Sequence, residues 1–182
     1  MDTITESLPN GTRIGRLIAH DDPRGRLTEI FRAEWGVGVD PVQWNFVRSE
    51  ANVLRGVHVH PVHTDYLILV GGAMTLCLHD IRAVSPTRDK TVMLALNGEQ
   101  LEAITIPPGV AHGFWYAEES THFYAVSHYW NPQDELGCAW NAPELHANWP
   151  SSSPILSGRD ARLGSYREMV EQYTAASRKH AS

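Results

Sequence analysis

The residues with the richest chemistry in this chain are imidazoles. Residues 55–60 read Arg-Gly-Val-His-Val-His, and alternation along a strand would turn His58 and His60 to one face. Asp65 follows His60 after four intervening residues, and the turn Pro107-Pro108-Gly109 leads through Val110-Ala111 to a third imidazole, His112. Histidine is the side chain best suited to proton transfer near neutral pH and the commonest metal ligand. The bland alternative is a wet interior filled with hydrogen-bonded rings. Aliphatic residues would fill such a space at lower cost, since every buried polar group needs a partner. The set therefore reads as functional.

The elements that must hold these residues read as short strands punctuated by turns. Asp21-Asp22-Pro23-Arg24-Gly25 is a turn cluster, followed by a strand over residues 27–31. Residues 53–59, 66–70 and 74–81 are further apolar or alternating runs. In the last, Met74, Leu76 and Leu78 face one way, and Thr75, Cys77 and His79 the other. Gly71-Gly72 predicts a hairpin turn. Asn97-Gly98, between 92–96 and 101–106, predicts another, because Asn-Gly suits a type I′ turn. Residues 111–116 and 121–130 close the β-rich part. After Trp149-Pro150 comes a loop, then Met169, Val170 and Tyr173 at helical spacing within 166–173, and a frayed polar tail from about Ala175.

Many short, evenly spaced strands favour a barrel or jelly roll. The spacing of His58, His60, Asp65, Gly72 and the 107–112 segment resembles the two cupin motifs. The expected fold is mainly β: a cupin-type jelly-roll barrel over about 13–130, with a C-terminal loop and short helix over about 131–182, in one domain spanning 1–182.

Composition narrows the function classes. The 182 residues carry a formal net charge of −6, which argues against binding nucleic acid through its phosphates. A small phosphorylated ligand needs only one or two well-placed arginines. Two cysteines, Cys77 and Cys138, cannot form a disulfide framework or a cysteine zinc site. No basic segment followed by an apolar stretch opens the chain, and no run of roughly eighteen apolar residues occurs, so neither a secretory leader nor a membrane span is expected. A cytoplasmic location follows as the expectation.

A wider set of segments occurs in one fixed order: Arg55-Gly56-Val57-His58, Asp80-Ile81-Arg82, Ser85-Pro86-Thr87, Ile106 through Phe114, Asn131 through Glu135, Trp149-Pro150 and Pro154 through Asp160. From about Asp22 to Asp160 the chain thereby resembles the dTDP-4-dehydrorhamnose 3,5-epimerase family. The resemblance implies a cupin-like jelly roll, a homodimer, and epimerisation beside the C4 ketone of a nucleotide-linked 4-keto-6-deoxyhexose, with no cofactor required. It also implies the site. His58 would be the base, Asp160 its orienting carboxylate and Tyr124 the acid on the opposite face. Arg55 and Arg24 would hold the diphosphate, and Glu29, Gln43, Asn45, His112 and Glu135 would line the pocket.

Three departures accompany the resemblance. Trp130 stands at the family's second tyrosine position, the loop after His60 is short, and Asp65 replaces a lysine. Asp65 is also where the cupin pattern places an acidic ligand, and His60 replaces a glutamine. A metal reading thus arises in which His58, His60, Asp65 and His112 hold a divalent transition metal. In it His58 would be a ligand, with no lone pair left to act as base. Three functions stay open: epimerase, metal-dependent cupin enzyme on another small substrate, and non-catalytic sugar-binding cupin.

Overall fold

The computed structural model describes residues 3, 4, 7–132 and 134–180. Its strands are β1 (Thr3–Ile4), β2 (Arg13–Arg16), β3 (Ala19–Asp22), β4 (Gly25–Thr28), β5 (Gln43–Ser49), β6 (Leu54–Val59), β7 (Asp65–Gly71), β8 (Ala73–Asp80), β9 (Thr91–Asn97), β10 (Glu102–Ile106), β11 (Val110–Tyr116), β12 (Ser120–Val126) and β13 (Leu136–Gly137); the helix α1 spans Tyr166–His180. One sheet has the order β1-β2-β10-β7-β12-β5, the facing sheet β13-β6-β11-β8-β9, and β3 and β4 form a separate hairpin. This is the cupin-type jelly roll that the sequence predicts.

Strand alternation sorts the side chains. Leu67 and Leu69 of β7 meet Met74, Leu76 and Leu78 of β8 between the sheets, with Ile104 and Ile106 of β10. Tyr66 and Ile68 turn to the outer face of the six-stranded sheet. On β6, Val57 and Val59 turn outward beneath α1, which leaves His58 facing inward. Tyr166, Met169, Val170 and Tyr173 form the packed stripe of α1, and Met169 is fully buried. Ser165 and Glu168 close the helix start: the Ser165 N–H donates to Glu168 Oε2 at 2.7 Å, and the Glu168 N–H donates to Ser165 Oγ at 3.3 Å. Replacing Met169 by Ala would remove packing worth about 2–5 kcal/mol.

Both predicted hairpins are corrected. Gly71-Gly72 joins β7 to β8 and Asn97-Gly98 leads from β9 towards β10, yet neither pair of strands is hydrogen-bonded. Each segment carries the chain from one sheet to the other. The Gly98 N–H donates to Gly72 O at 2.9 Å, and a Cβ on Gly98 would meet Gly71 Cα at 2.5 Å. The glycines are needed because two corners touch, a reason different from the φ demands of a type I′ turn. Two further expectations shift: the strand after Arg24 ends at Thr28, and the helix runs on through the tail expected to fray.

Candidate active site

A cavity of about 250 Å³ opens between the two sheets. From the five-stranded sheet it receives Arg55, His58, His112 and Phe114; from the six-stranded sheet Val47, Asp65, Leu67, His122 and Tyr124. Loops add His60, His63, Trp130, Glu135, Ser157 and Arg159, and a single 3-10 turn, Asp160–Arg162, adds Asp160.

His58 Nε2 lies 2.8 Å from Asp160 Oδ1. The two residues are 102 positions apart and meet because the segment after β13 folds back over β6. The Gly56 N–H points to the other oxygen of Asp160 at 3.4 Å, and the Asp160 N–H donates to Ser157 Oγ at 3.0 Å. Gly56 itself has φ +118°, and a Cβ there would meet Gly113 Cα at 2.8 Å, so only glycine allows β6 to approach β11 this closely. Burial pushes the Asp160 carboxyl up, but His58 and the Gly56 N–H outweigh it and hold it below the ordinary carboxylate value.

Asp65 occupies a second position in the same cavity. His63 Nε2 stands 3.5 Å from its Oδ1, and His60 Nε2 and His112 Nε2 stand 3.6 and 3.7 Å from its Oδ2. His112 Nδ1 donates to Val110 O at 3.1 Å, which leaves its Nε2 bearing the lone pair. Burial drives His60 well below the ordinary imidazole value and lowers His112. Burial also depresses His63, but Asp65 and Glu135 more than reverse this, and its value is raised. Glu135 Oε1 lies 3.3 Å from His60 Nδ1, and Arg159 donates to Glu135 Oε2 at 3.3 Å.

Arg55 donates through Nε to Ser49 Oγ at 3.0 Å and forms no ion pair with a described carboxylate. Tyr124 is pushed upward by burial and by Asp65 and Glu135, so its phenol keeps its proton at neutral pH. Burial and Arg55 press His122 down to about 4.

The structure thus brings His58, Asp160, Tyr124, Arg55, His112, Trp130 and Glu135 to one cavity. Gln43 and Asn45 border it: the Trp130 N–H donates to Gln43 Oε1, and Gln43 Nε2 donates to Asn45 Oδ1 at 2.8 Å. Arg24 and Glu29 do not join them. Arg24 sits at the exposed tip of the β3–β4 hairpin, bonded to Asp22, and Glu29 borders a separate hollow beside Trp35. Of the four residues of the metal reading, His60, Asp65 and His112 stand together while His58 is turned to Asp160; His63 stands beside Asp65. Sequence reasoning missed His63 and Arg159. His63 follows Pro61 outside any strand, where no periodicity marks its direction.

A family model described as dTDP-4-dehydrorhamnose 3,5-epimerase matches residues 9–168. The dTDP-4-dehydrorhamnose 3,5-epimerase of Escherichia coli (strain K12) is 33% identical over 159 residues, covering 82% of this chain and 86% of that protein. The dTDP-4-dehydrorhamnose 3-epimerase of Streptomyces niveus is 31% identical over 148 residues, covering 76% and 72%. A solved structure of dTDP-6-deoxy-D-glucose-3,5-epimerase from Legionella pneumophila, in complex with dTDP-4-keto-L-rhamnose, matches with a TM-score of 0.84 and 28% identity, covering 92% of this chain and 96% of that one. Fold and cavity define a cupin-type jelly roll of the epimerase class. The chain belongs to the dTDP-4-dehydrorhamnose 3,5-epimerase family.

Proposed function

We propose that this protein epimerises a dTDP-linked 4-keto-6-deoxyhexose by removing and returning a proton beside the C4 ketone. One observation carries the assignment of roles: the His58–Asp160 pair and Tyr124 project from facing sheets into one cavity. Inversion needs that arrangement, because a proton must leave one face of the carbon and return to the other.

His58 donates its Nε2–H to Asp160, which places the lone pair on Nδ1. Nδ1 takes the proton alpha to the ketone, and the electron pair of the broken C–H bond moves into the enolate. Asp160 stabilises the imidazolium so formed. The Tyr124 hydroxyl then protonates the same carbon from the opposite side, and exchange with solvent resets both groups. Nothing is oxidised or reduced, so the reaction calls for no redox cofactor. Arg55, without an ion pair to any described carboxylate, suits the diphosphate, with a planar fork that matches phosphate oxygens. His112, Trp130 and Glu135 shape the sugar pocket, with Gln43 and Asn45 behind its rim.

Arg24 and Glu29 could serve a substrate only from a second copy of the chain, in which the exposed hairpin reached a neighbour's cavity. A homodimer accounts for that, and for the exposed Trp44 and Phe46 on the edge strand β5.

The test is deuterium incorporation from heavy water into a dTDP-linked 4-keto-6-deoxyhexose. The protein should exchange the proton on one or both carbons flanking the ketone. A protein that binds this sugar nucleotide without exchanging either proton would refute the assignment.

A further inference from the structure

His60, His63 and Asp65 form a cluster that the proton-transfer scheme leaves unused. All three are buried, and one donor atom from each lies within 4.8 Å of the others. The nitrogen–oxygen distances around Asp65, at 3.5, 3.6 and 3.7 Å, exceed the roughly 3.2 Å limit of a good N–H···O bond. They lie close to the spacing of about 3.3 Å between donors that each stand ~2.0–2.1 Å from a shared tetrahedral ion.

Two atoms strengthen this reading. Asp65 Oδ2 accepts no hydrogen bond from a described residue, although Asp65 is only 6% exposed, and a buried carboxylate oxygen left so is costly. His60 Nδ1 is equally unbonded and faces Glu135 Oε1 at 3.3 Å, the place of a carboxylate behind a ligating imidazole. His112 is sorted the same way, with Nδ1–H on a backbone carbonyl and Nε2 towards Asp65.

We propose that this chain binds one divalent transition-metal ion, of the zinc class, through His60, His63 and Asp65, with His112 as the fourth donor. Three imidazoles and one carboxylate match the borderline-soft preference of such ions. His58 stays outside the set, since its Nε2 is committed to Asp160, so coordination and proton abstraction do not compete for one lone pair. The ion adds a fixed positive charge to a wall of the cavity that also receives His58 and Tyr124. Metal binding does not depend on the epimerase assignment, and its measurement is separate from turnover.

Untagged full-length protein, stripped with a chelator, is titrated with Co²⁺ and then Zn²⁺. The expected result is saturation at one equivalent, visible d–d bands that Zn²⁺ removes, and a raised melting temperature. His63→Ala and Asp65→Asn should abolish the saturable band. Glu135→Gln should weaken binding by about 10–100-fold, and His58→Asn should keep the band. No saturable band in the wild type, or a band that survives in both His63→Ala and Asp65→Asn, overturns the proposal. Loss of the band in His58→Asn overturns the ligand set. Circular dichroism checks folding; should both ligand variants unfold, unchanged affinity in Glu135→Gln rejects the site.

Discussion

Asp65 and Asp80 are two buried aspartates that the same chain treats in opposite ways. Asp80 is fully buried at the end of β8. Its Oδ1 accepts from the Arg82 N–H and Nε at 3.1 and 2.8 Å, and its Oδ2 from Arg82 Nη2, Ser85 Oγ and Thr87 Oγ1 at 2.6–2.7 Å. Every lone pair direction is used, and the loop 81–90 closes around it. Asp65 is buried almost as deeply, yet its imidazole neighbours stand back at 3.5–3.7 Å, and Oδ2 accepts no hydrogen bond from a described residue. Burial by itself therefore says nothing about role. A carboxylate whose partners are complete belongs to the scaffold, whereas one whose partners stand back leaves room for a ligand.

The largest effects should separate the cavity from the scaffold. His58→Asn should slow deuterium exchange by about 10²–10⁴-fold while dTDP still binds, whereas Asp80→Asn should leave the exchange rate per folded molecule unchanged. Stability should reverse that order. Asp80→Asn should lower unfolding free energy by about 2 kcal/mol at neutral pH, measured by urea denaturation. Bonds from Arg82, Ser85 and Thr87 outweigh burial and hold the Asp80 carboxyl at about 2, below the 3.8 of a free aspartate. A depressed value means that this stabilisation is complete above pH ~4 and fades as pH falls towards 2, where variant and wild type should converge. Ser85→Ala removes one of five donors and should cost about 1 kcal/mol.

The smallest change is expected at Asp65. In metal-stripped protein, Asp65→Asn should alter stability by less than about 1 kcal/mol. Burial works against its charge, and His60, His63 and His112 outweigh burial and hold the carboxyl below the ordinary aspartate value; these imidazoles stand no closer than 3.5 Å, so their support is weaker than that of the five close donors around Asp80. A loss equal to that of Asp80→Asn would erase the contrast between the two carboxylates.

The ordered motifs carried most of the fold class and the core of the candidate site, because a strand's period of two and a motif's residue types are local facts. His58 and Asp160 were legible as partners only through the family pattern; nothing in their spacing of 102 residues announces a contact. The Asp80-Ile81-Arg82 and Ser85-Pro86-Thr87 segments were equally visible and proved to be one hydrogen-bonded loop, away from the cavity. Turn residues misled: Gly-Gly and Asn-Gly mark a reversal, but whether the flanking strands pair or part depends on which sheet each joins. The helix ran longer than its apolar stripe, since i to i+4 bonding continues past the last packed residue.

Residue order alone was enough to specify alternating strands, the inward pair His58 and His60, and membership among sugar-nucleotide epimerases. Tertiary packing alone decided that His58 stays outside the cluster around Asp65, that His63 enters the cavity, and that Arg24 lies outside it. The reason is physical: strand period sets which face a side chain takes, but partners across the sandwich are chosen by how two sheets and a returning loop close on each other.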